Sequence, residues 1–279
     1  MTQQRMMQQR LTYRRAWVLL ALLIMVPLAA PWLAPHDPNA SLDLIALKSH
    51  PPTIAHPFGT DSYSRDVLSR VLHGSRISLA VSVCSVAVVL VLGTLYGALT
   101  TFAPRALSGL LRRVLDVALA MPRILLLLTV TAFAGSLSLK QLVLLIGSTG
   151  WFAVARQVTD ELDALVTRDF AMAARAQGVR TPRLIIRHLL PHVLPVLMVL
   201  ATFGVASTIA LETAISYLGL GVQPPTASWG SIMRDGATVM ESAWWLTVFP
   251  GMATILAALA CNTIGDALRE HLAPGHVPS

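Results

Sequence analysis

The chain has 279 residues, 54% of them hydrophobic and only 13% charged, with a mean hydropathy of +0.64. Soluble domains carry about 25% charged residues, so this composition excludes an ordinary soluble fold and points to a chain whose main solvent is lipid. The net charge of +7 does not indicate nucleic acid, because no basic stripe alternates with aromatics; the arginines gather at the ends of apolar runs, as membrane topology requires.

Crossing ~30 Å of hydrocarbon takes roughly 17–25 mostly apolar residues. Ala16–Ala34 is the first such run, bounded by Arg14–Arg15 and Asp37. A basic head before an apolar run also fits a signal peptide, but the length of the run, and Pro31 after the best small-residue site, favour an uncleaved anchor. In HPFGTDSYSRDVLSRVLHGSR (56–76), Thr60 or Asp61 is placed to cap a helix that Gly74 would end. Val67, Leu68, Val71 and Leu72 form its apolar face, and Asp66 with Arg70 an i,i+4 pair, which predicts a short helix lying on the membrane surface. No charge separates Arg76 from Arg105, so Ile77–Phe102 is the second span. The third runs from about Val114 to Ala134 and carries Asp116 and Pro122–Arg123. The fourth is Gln141–Ala155, the fifth Leu189–Leu211 and the sixth about Ala243–Ile264. Between the last two, SYLGLGVQPPTASWGSIMRDG (216–236) is too rich in Gly and Pro for a continuous helix and is expected to dip against other helices, since bare backbone in lipid is costly. Cys84 and Cys261 both lie in apolar runs and read as small buried hydrophobes, not as a disulfide.

Six spans put both termini on one side. With that side inside, cytoplasmic segments hold fourteen Lys and Arg and outer segments six, Arg123 in the third span completing the 21. This asymmetry makes the stretch DFAMAARAQGVRTPRLIIRHLLP (169–191) cytoplasmic. Asp169 is placed to cap a short alanine-rich helix, Gly178 to end it in a left-handed conformation, and Thr181–Pro182 to start another, Pro costing nothing at a first helical position. By composition alone this helix–glycine–helix insert is either a docking element for a partner or a solvated positive-inside loop.

Ala173, Ala174, Gly178, Leu190 and Pro191 fall on the pattern of the coupling loop of ABC-importer permeases, with Met172 where that family often has Glu. HPFGTDSYSRDVLSRVLHGSRISL (56–79), SYLGLGVQPPTASWG (216–230) and FPGMATILAALACNTIGDALREHLAPG (249–275) resemble one subgroup, the C-type subunit of dipeptide, oligopeptide and nickel importer permeases; Ser64 replaces a usual Gly. The resemblance implies an all-α type I ABC-importer permease fold of six transmembrane helices in the bacterial inner membrane, with both termini cytoplasmic. Residues 1–75 would be a cytoplasmic tail, the first span and an extracytoplasmic segment, and residues 76–279 the permease core, with its coupling loop at about 157–190. It further implies a homologous second permease, two cytoplasmic ATPases and an extracytoplasmic binding protein. The ATPase contact is expected at Ala173, Ala174, Arg175, Gly178, Arg180, Pro182, Arg183 and Arg187. The cargo would be peptides or related small solutes, among them glutathione-like compounds and nickel complexes.

The chain itself carries no P-loop. A P-loop needs Lys directly after Gly, and the two lysines, Lys48 and Lys140, each follow Leu. ATP and Mg²⁺ are therefore expected on partner chains, with no catalytic residue, cofactor or metal held here. Intramembrane polar residues are functional suspects; Arg123, Glu212, Tyr217 and Gln223 are the candidate pathway or gate residues, with Asp116 on the face of Arg123 as its possible ion partner. Snorkelling of Arg123 and a merely interfacial Glu212 are the plainer readings. His188 and His192 share an i,i+4 spacing suited to a metal, but Pro191 lies between them and no third ligand is near. GSTG at 147–150 lacks the form of an intramembrane serine protease motif. A stand-alone secondary transporter should show internal repeats and paired intramembrane acids, and neither is evident.

Overall fold

The computed structural model describes residues 2–135 and 137–272, with side chains from Arg15 onward. Met1, Ser136 and residues 273–279, which include the ends of the 249–275 motif and of the 76–279 core, lie outside the described residues. The chain runs α1 (Thr2–Leu33), α2 (Val67–Phe102), α3 (Arg105–Ala120), α4 (Arg123–Ala134), α5 (Leu139–Val166), α6 (Asp169–Ala176), α7 (Thr181–Leu184), a π-helical turn (Ile185–Leu189), α8 (Leu190–Tyr217), α9 (Trp229–Ala237) and α10 (Trp245–Leu272). Among the described residues there is no strand, only an isolated bridge between Thr60 and Asp66.

Five stretches are long and apolar enough to cross a membrane: Arg15–Leu33, α2, α5, Thr181–Tyr217 and α10. The expected third span is a correction. It is broken into α3 and α4, which meet at 80° and make a sixth crossing only as a bent pair. Pro122 is the cause. It clashes with helical backbone at the residue before it, and Met121 is accordingly extended at φ −83°, ψ 128°. The expected surface helix is a second correction: α2 passes through Gly74 without interruption. Gly74 is a contact point, where an added Cβ would stand 3.4 Å from the backbone of Ser228. The cap of α2 is Asp66, whose Oδ2 accepts from the Ser69 N–H at 2.8 Å. Likewise α5 starts at a Ser138–Gln141 capping box and absorbs residues 157–166 of the expected loop.

Contact between α2 and α5 sits at the centre of the bundle and is built on glycine. A Cβ on Gly93 would come 2.6 Å from Val154 Cγ1, one on Gly97 2.8 Å from Val158 and 2.9 Å from the Ala155 carbonyl, and one on Gly147 2.7 Å from Val88. This is the small-residue packing through which membrane helices approach. Ser85 Oγ donates to the Val143 carbonyl at 3.3 Å and Thr101 Oγ1 to the Thr159 carbonyl at 3.4 Å across the same seam. α1 packs at the periphery, on α10 and α2, with only Ala16 and Ala30 buried among its described side chains. Trp17 and Trp32 stand exposed near the two ends of its apolar stretch, Arg15–Leu33, where amphipathic rings suit the membrane interfaces. Of the two cysteines expected to be buried, Cys261 is and Cys84 is exposed.

Gly97 and Gly109 make a paired test. Gly97→Ala should lower the melting point of the purified chain, by an overpacking cost of about 1–3 kcal/mol. Gly109→Ala, where an added Cβ meets nothing within 4 Å, should be neutral or stabilise by about 0.5–1 kcal/mol through helix propensity. Equal effects of the two would show that the seam is not tightly packed.

Candidate functional site

The insert after α5 is built as the residues dictate. Gly178 has φ +81°; its N–H bonds the Arg175 carbonyl at 2.9 Å and the Val179 N–H bonds the Ala174 carbonyl at 3.1 Å. These are the two bonds of a Schellman cap, the usual left-handed helix ending. The N-caps are shifted by one residue from the expected ones: Arg168 caps α6, with Asp169 in its first turn, and Arg180 caps α7, with Thr181 and Pro182 in its first turn. Ala171 and Ala174 are buried against Leu162 and Leu165 of α5 and against Leu184, Leu189 and Val193. The two neighbouring alanines expected on one contact face thus separate. Ala174 belongs to the internal core, while Ala173 is exposed. Arg175, Gly178, Arg180, Pro182, Arg183 and Arg187 are all exposed, and Phe170, Met172 and Ile186 add apolar area between the charges. His192 stacks on Phe170 with ring centroids 5.0 Å apart, and its Nδ1 lies 2.8 Å from the His188 carbonyl. The outer surface of the insert is therefore apolar patches among four guanidinium groups, on a backbone anchored to the bundle from behind.

The candidate pathway residues fall into two places. Arg123 opens α4 just after the Pro122 break and lays its guanidinium across α5. Nη2 donates to the Ile146 carbonyl at 2.9 Å, and Nε is buried without a partner. Gly150 makes the room: a Cβ there would be 2.5 Å from Arg123 Nη2. Asp116, expected as its partner, is paired instead with Arg156 of α5 at 2.9 Å, because the 80° bend takes α3 away from α4. Arg112 pairs with Asp163 at 2.6 Å, so two ion pairs strap α3 to α5. Glu212 is fully buried in α8. Its Oε1 accepts from Ser216 Oγ at 2.7 Å, Ser78 and Ser228 stand beside it, and Ser216 Oγ accepts from the Val222 N–H at 3.0 Å. This chain of bonds ties α8 to the 218–228 connection and keeps the carboxylate away from the surface of the chain. Gln223 spends its amide on the Gly219 and Gly221 carbonyls at 3.0 and 3.1 Å, inside the same turn, while Tyr217 is exposed. Among the described residues, no bond links Arg123 to Glu212, Tyr217 or Gln223.

A third site escaped sequence reasoning. Arg70 does not pair with Asp66. It sits 3.6 Å from Asp61 and 3.3 Å from Asp235 of α9, and Arg65 completes the square at 2.6 Å from Asp61 and 3.1 Å from Asp235. Asp61 is fully buried and also accepts from the backbone N–H groups of Tyr63 and Arg65. Burial pushes the Asp235 carboxyl up from its usual range, and Arg70 and Arg65 draw it back down. The square clamps the entry to α2 onto α9, and three of its members, Arg65, Arg70 and Asp235, wall a cavity of about 430 Å³ that Tyr63, Pro224, Pro225 and Arg234 also line. Asp235 lies 170 residues from Arg65 in the chain, so no spacing rule joins it to the other three.

Residues 76–276 match the family model described as binding-protein-dependent transport system inner membrane component. The chain is 37% identical over 274 residues to a Brucella suis biovar 1 protein named as a peptide transport system permease, covering 98% of this chain and 91% of the relative. It is 36% identical over 259 residues to the di/tripeptide transport system permease protein DppC of Pseudomonas aeruginosa, covering 91% and 84%. Among solved structures, a chain of the MetNI methionine ABC transporter in inward-facing conformations superposes with a TM-score of 0.55 at 19% identity, over 72% of this chain and 97% of that one. That likeness concerns the fold.

The charge square sets a ranked expectation. Asp61→Asn leaves Arg70 buried beside a single, partly exposed carboxylate and should cost about 3–5 kcal/mol, the range for breaking a buried pair. Asp235→Asn should cost clearly less, because Asp61 still faces both arginines. Thermal melts of the purified variants check the order, and a reversed order would mean that Asp61 is not the anchor.

Proposed function

Because the chain belongs to the inner-membrane component family of binding-protein-dependent transport systems, we propose that it forms half of the translocation pathway of an ATP-driven importer of peptides or related small solutes. It is an ABC-importer permease subunit, a multi-pass protein of the bacterial inner membrane. In our reading its counterpart is a homologous second permease, two ATPases bind ATP and Mg²⁺ on the cytoplasmic side, and a binding protein delivers substrate from outside. Peptide cargo is suggested by the names of the relatives, which are peptide and di/tripeptide permeases.

The observation that carries the coupling role is the two-sided insert. Its outer face offers Ala173, Arg175, Gly178, Arg180, Pro182, Arg183 and Arg187 to a partner, and its inner face is part of the core shared by α2, α5 and α8. A partner that pulls on α6 thereby pulls on the spans that share this core. The guanidinium groups supply charge-assisted contacts, and Phe170 and Met172 an apolar seat, Met172 replacing the polar contact of a Glu. Arg123, Glu212, Tyr217 and Gln223 we assign to the pathway half, Arg123 on its wall and Glu212 with Gln223 holding the 218–228 connection in shape beside Tyr217.

Topology follows from the arginine asymmetry, with both termini and the insert cytoplasmic and the 34–66 segment outside. In a chain freed of Cys84 and Cys261, single cysteines at Leu110 and Arg180 should react only with reagent that reaches the cytoplasm, and one at the fully exposed Ile54 only with reagent added to intact cells. Labelling of position 180 from outside would invert the assignment. The coupling role has its own test. A Cβ on Gly178 would touch nothing within 4 Å, so Gly178→Val acts through the strain of φ +81° alone, of order 1 kcal/mol or more. Membrane insertion and permease pairing should be unchanged, while ATP hydrolysis stimulated by loaded binding protein falls sharply. Full stimulation and uptake in that variant would reduce the insert to a positive-inside loop.

A further inference from the structure

Where the 34–66 segment meets the first turn of α2, three ligating side chains that are far apart in the sequence come together: His36, His56 and Asp66. The Nδ1 of His56 is 2.9 Å from Asp66 Oδ1, and the Nδ1 of His36 is 3.9 Å from the same oxygen. One ligand atom from each residue lies within 4.8 Å of the other two, and the two imidazoles are tilted at 35° with centroids 4.9 Å apart. Asp66 and His56 are buried. The second carboxylate oxygen of Asp66 is fixed by the backbone N–H of Ser69 at 2.8 Å and its hydroxyl at 2.7 Å. Those bonds aim Oδ1 at the two rings, in the way outer-shell hydrogen bonds orient a metal-binding carboxylate. The main chain of His36 is held too, its N–H donating to Ser69 Oγ at 3.1 Å. Yet His36 Nδ1 is buried with no hydrogen-bond partner, and buried polar atoms are ordinarily satisfied.

We propose that His36, His56 and Asp66 form a resident site for a divalent transition-metal ion, best matched by Zn²⁺, that pins the 34–56 segment to the cap of α2. Two imidazoles and one carboxylate are the nitrogen and oxygen donors that suit Zn²⁺, whereas Mg²⁺ and Ca²⁺ select oxygen alone. Tetrahedral Zn²⁺ with bonds of about 2.0–2.2 Å sets its ligand atoms roughly 3.3 Å apart. The His56–Asp66 pair is already that close. His36 closes the remainder by a swing of its ring, which its 30% side-chain exposure permits. The cation would replace the hydrogen bond between His56 Nδ1 and Asp66 Oδ1 from one side, and the shared proton would pass to Nε2, so that both rings bind as neutral imidazoles. Arg70, one turn further along α2, is committed to Asp61, Asp235 and the Pro38 carbonyl and does not neutralise Asp66. Three protein ligands leave the fourth position to water, reached past the exposed edge of His36. The site is independent of the transport reading, since its residues are none of those assigned to the pathway or the insert.

The full-length chain, purified through a histidine-free tag and stripped with EDTA, is titrated with Co²⁺ and then Zn²⁺. One equivalent of Co²⁺ should give the intense visible bands of a four-coordinate ion, Zn²⁺ should displace it, and Zn²⁺ should raise the melting temperature. His36→Ala, and as a second variant His36→Gln, should weaken binding at least tenfold and abolish the Zn²⁺-dependent rise. Both should leave the metal-free melt near that of the parent, because the His56–Asp66 bond remains. His50→Ala and His188→Ala should bind as the parent does. Absence of the cobalt bands, or bands that survive both His36 variants, would overturn the site and leave a hydrogen-bonded helix cap.

Discussion

Close approach of two backbones, α2 and α5, is the constraint on which the rest of the molecule depends. In lipid, apolar side chains gain little by leaving acyl chains for one another, and association rests on packing and interhelical hydrogen bonds. Gly93 and Gly97 lie one turn apart on α2 and admit Val154 and Val158; Gly147 of α5 admits Val88 in return. Both helices then run beyond their apolar stretches. α2 begins in the Asp66 cap and carries Arg70 into the charge square, while α5 continues to Val166 and delivers the chain to α6. The two ends of the molecule hang from one glycine-lined seam, and α3 is held to the same seam by Arg112–Asp163 and Arg156–Asp116.

Several buried polar groups have a corresponding part, each joining one element to another. Arg123 reaches from α4 onto α5 through the gap left by Gly150; Glu212 and Ser216 bind α8 to the connection that leads into α9; Asp61 and Asp235 bind the start of α2 to α9. A buried charge with one partner removed is worth several kcal/mol of destabilisation, so these contacts fix relative placement more than they add stability. That distinction separates the half-exposed pairs on α3, individually worth ~0–1 kcal/mol, from the square at the entry to α2.

The insert was the most legible part of the sequence, because its punctuation is local. Gly178 and Thr181–Pro182 act through backbone geometry that no tertiary contact overrides, and the helix–glycine–helix form stands with caps displaced by one residue. Gly74 failed for the opposite reason. A glycine that ends a helix and one that admits a neighbouring backbone look the same in sequence, and only the approach of residues 228–229 distinguishes them. Asp116 and Arg123 share a helical face only while the helix is unbroken, and Pro122, visible in the sequence, was the warning against pairing them. The GTLYG spacing of Gly93 and Gly97 was also readable, as a GxxxG contact motif. By contrast, the charge square joins the entry of α2 to a helix 170 residues away, and the His36–His56–Asp66 group joins residues along the irregular 34–66 segment, so no period reports either.

The π-helical turn between α7 and α8 shows how the insert and the fifth apolar stretch become one mechanical piece. Leu184 and Leu189 are both fully buried in the core that holds Ala171 and Ala174. Five residues along an α-helix would turn the side chain by about 140°, which would point one of the two leucines away. The turn at Ile185–Leu189, with the Leu190 N–H bonding the Ile185 carbonyl five residues back, takes up the surplus rotation and brings both leucines to the same side. Val193 and Leu197 continue that face at four-residue steps along α8. Single π turns of this kind are frequent at functional positions, and this one has a definite effect. Without it the inner face of the insert and the inner face of α8 would be out of register, and a push on α6 would be absorbed at their junction. With it, α6, α7 and α8 share one packed surface against α5, so the small insert cannot shift without the spans.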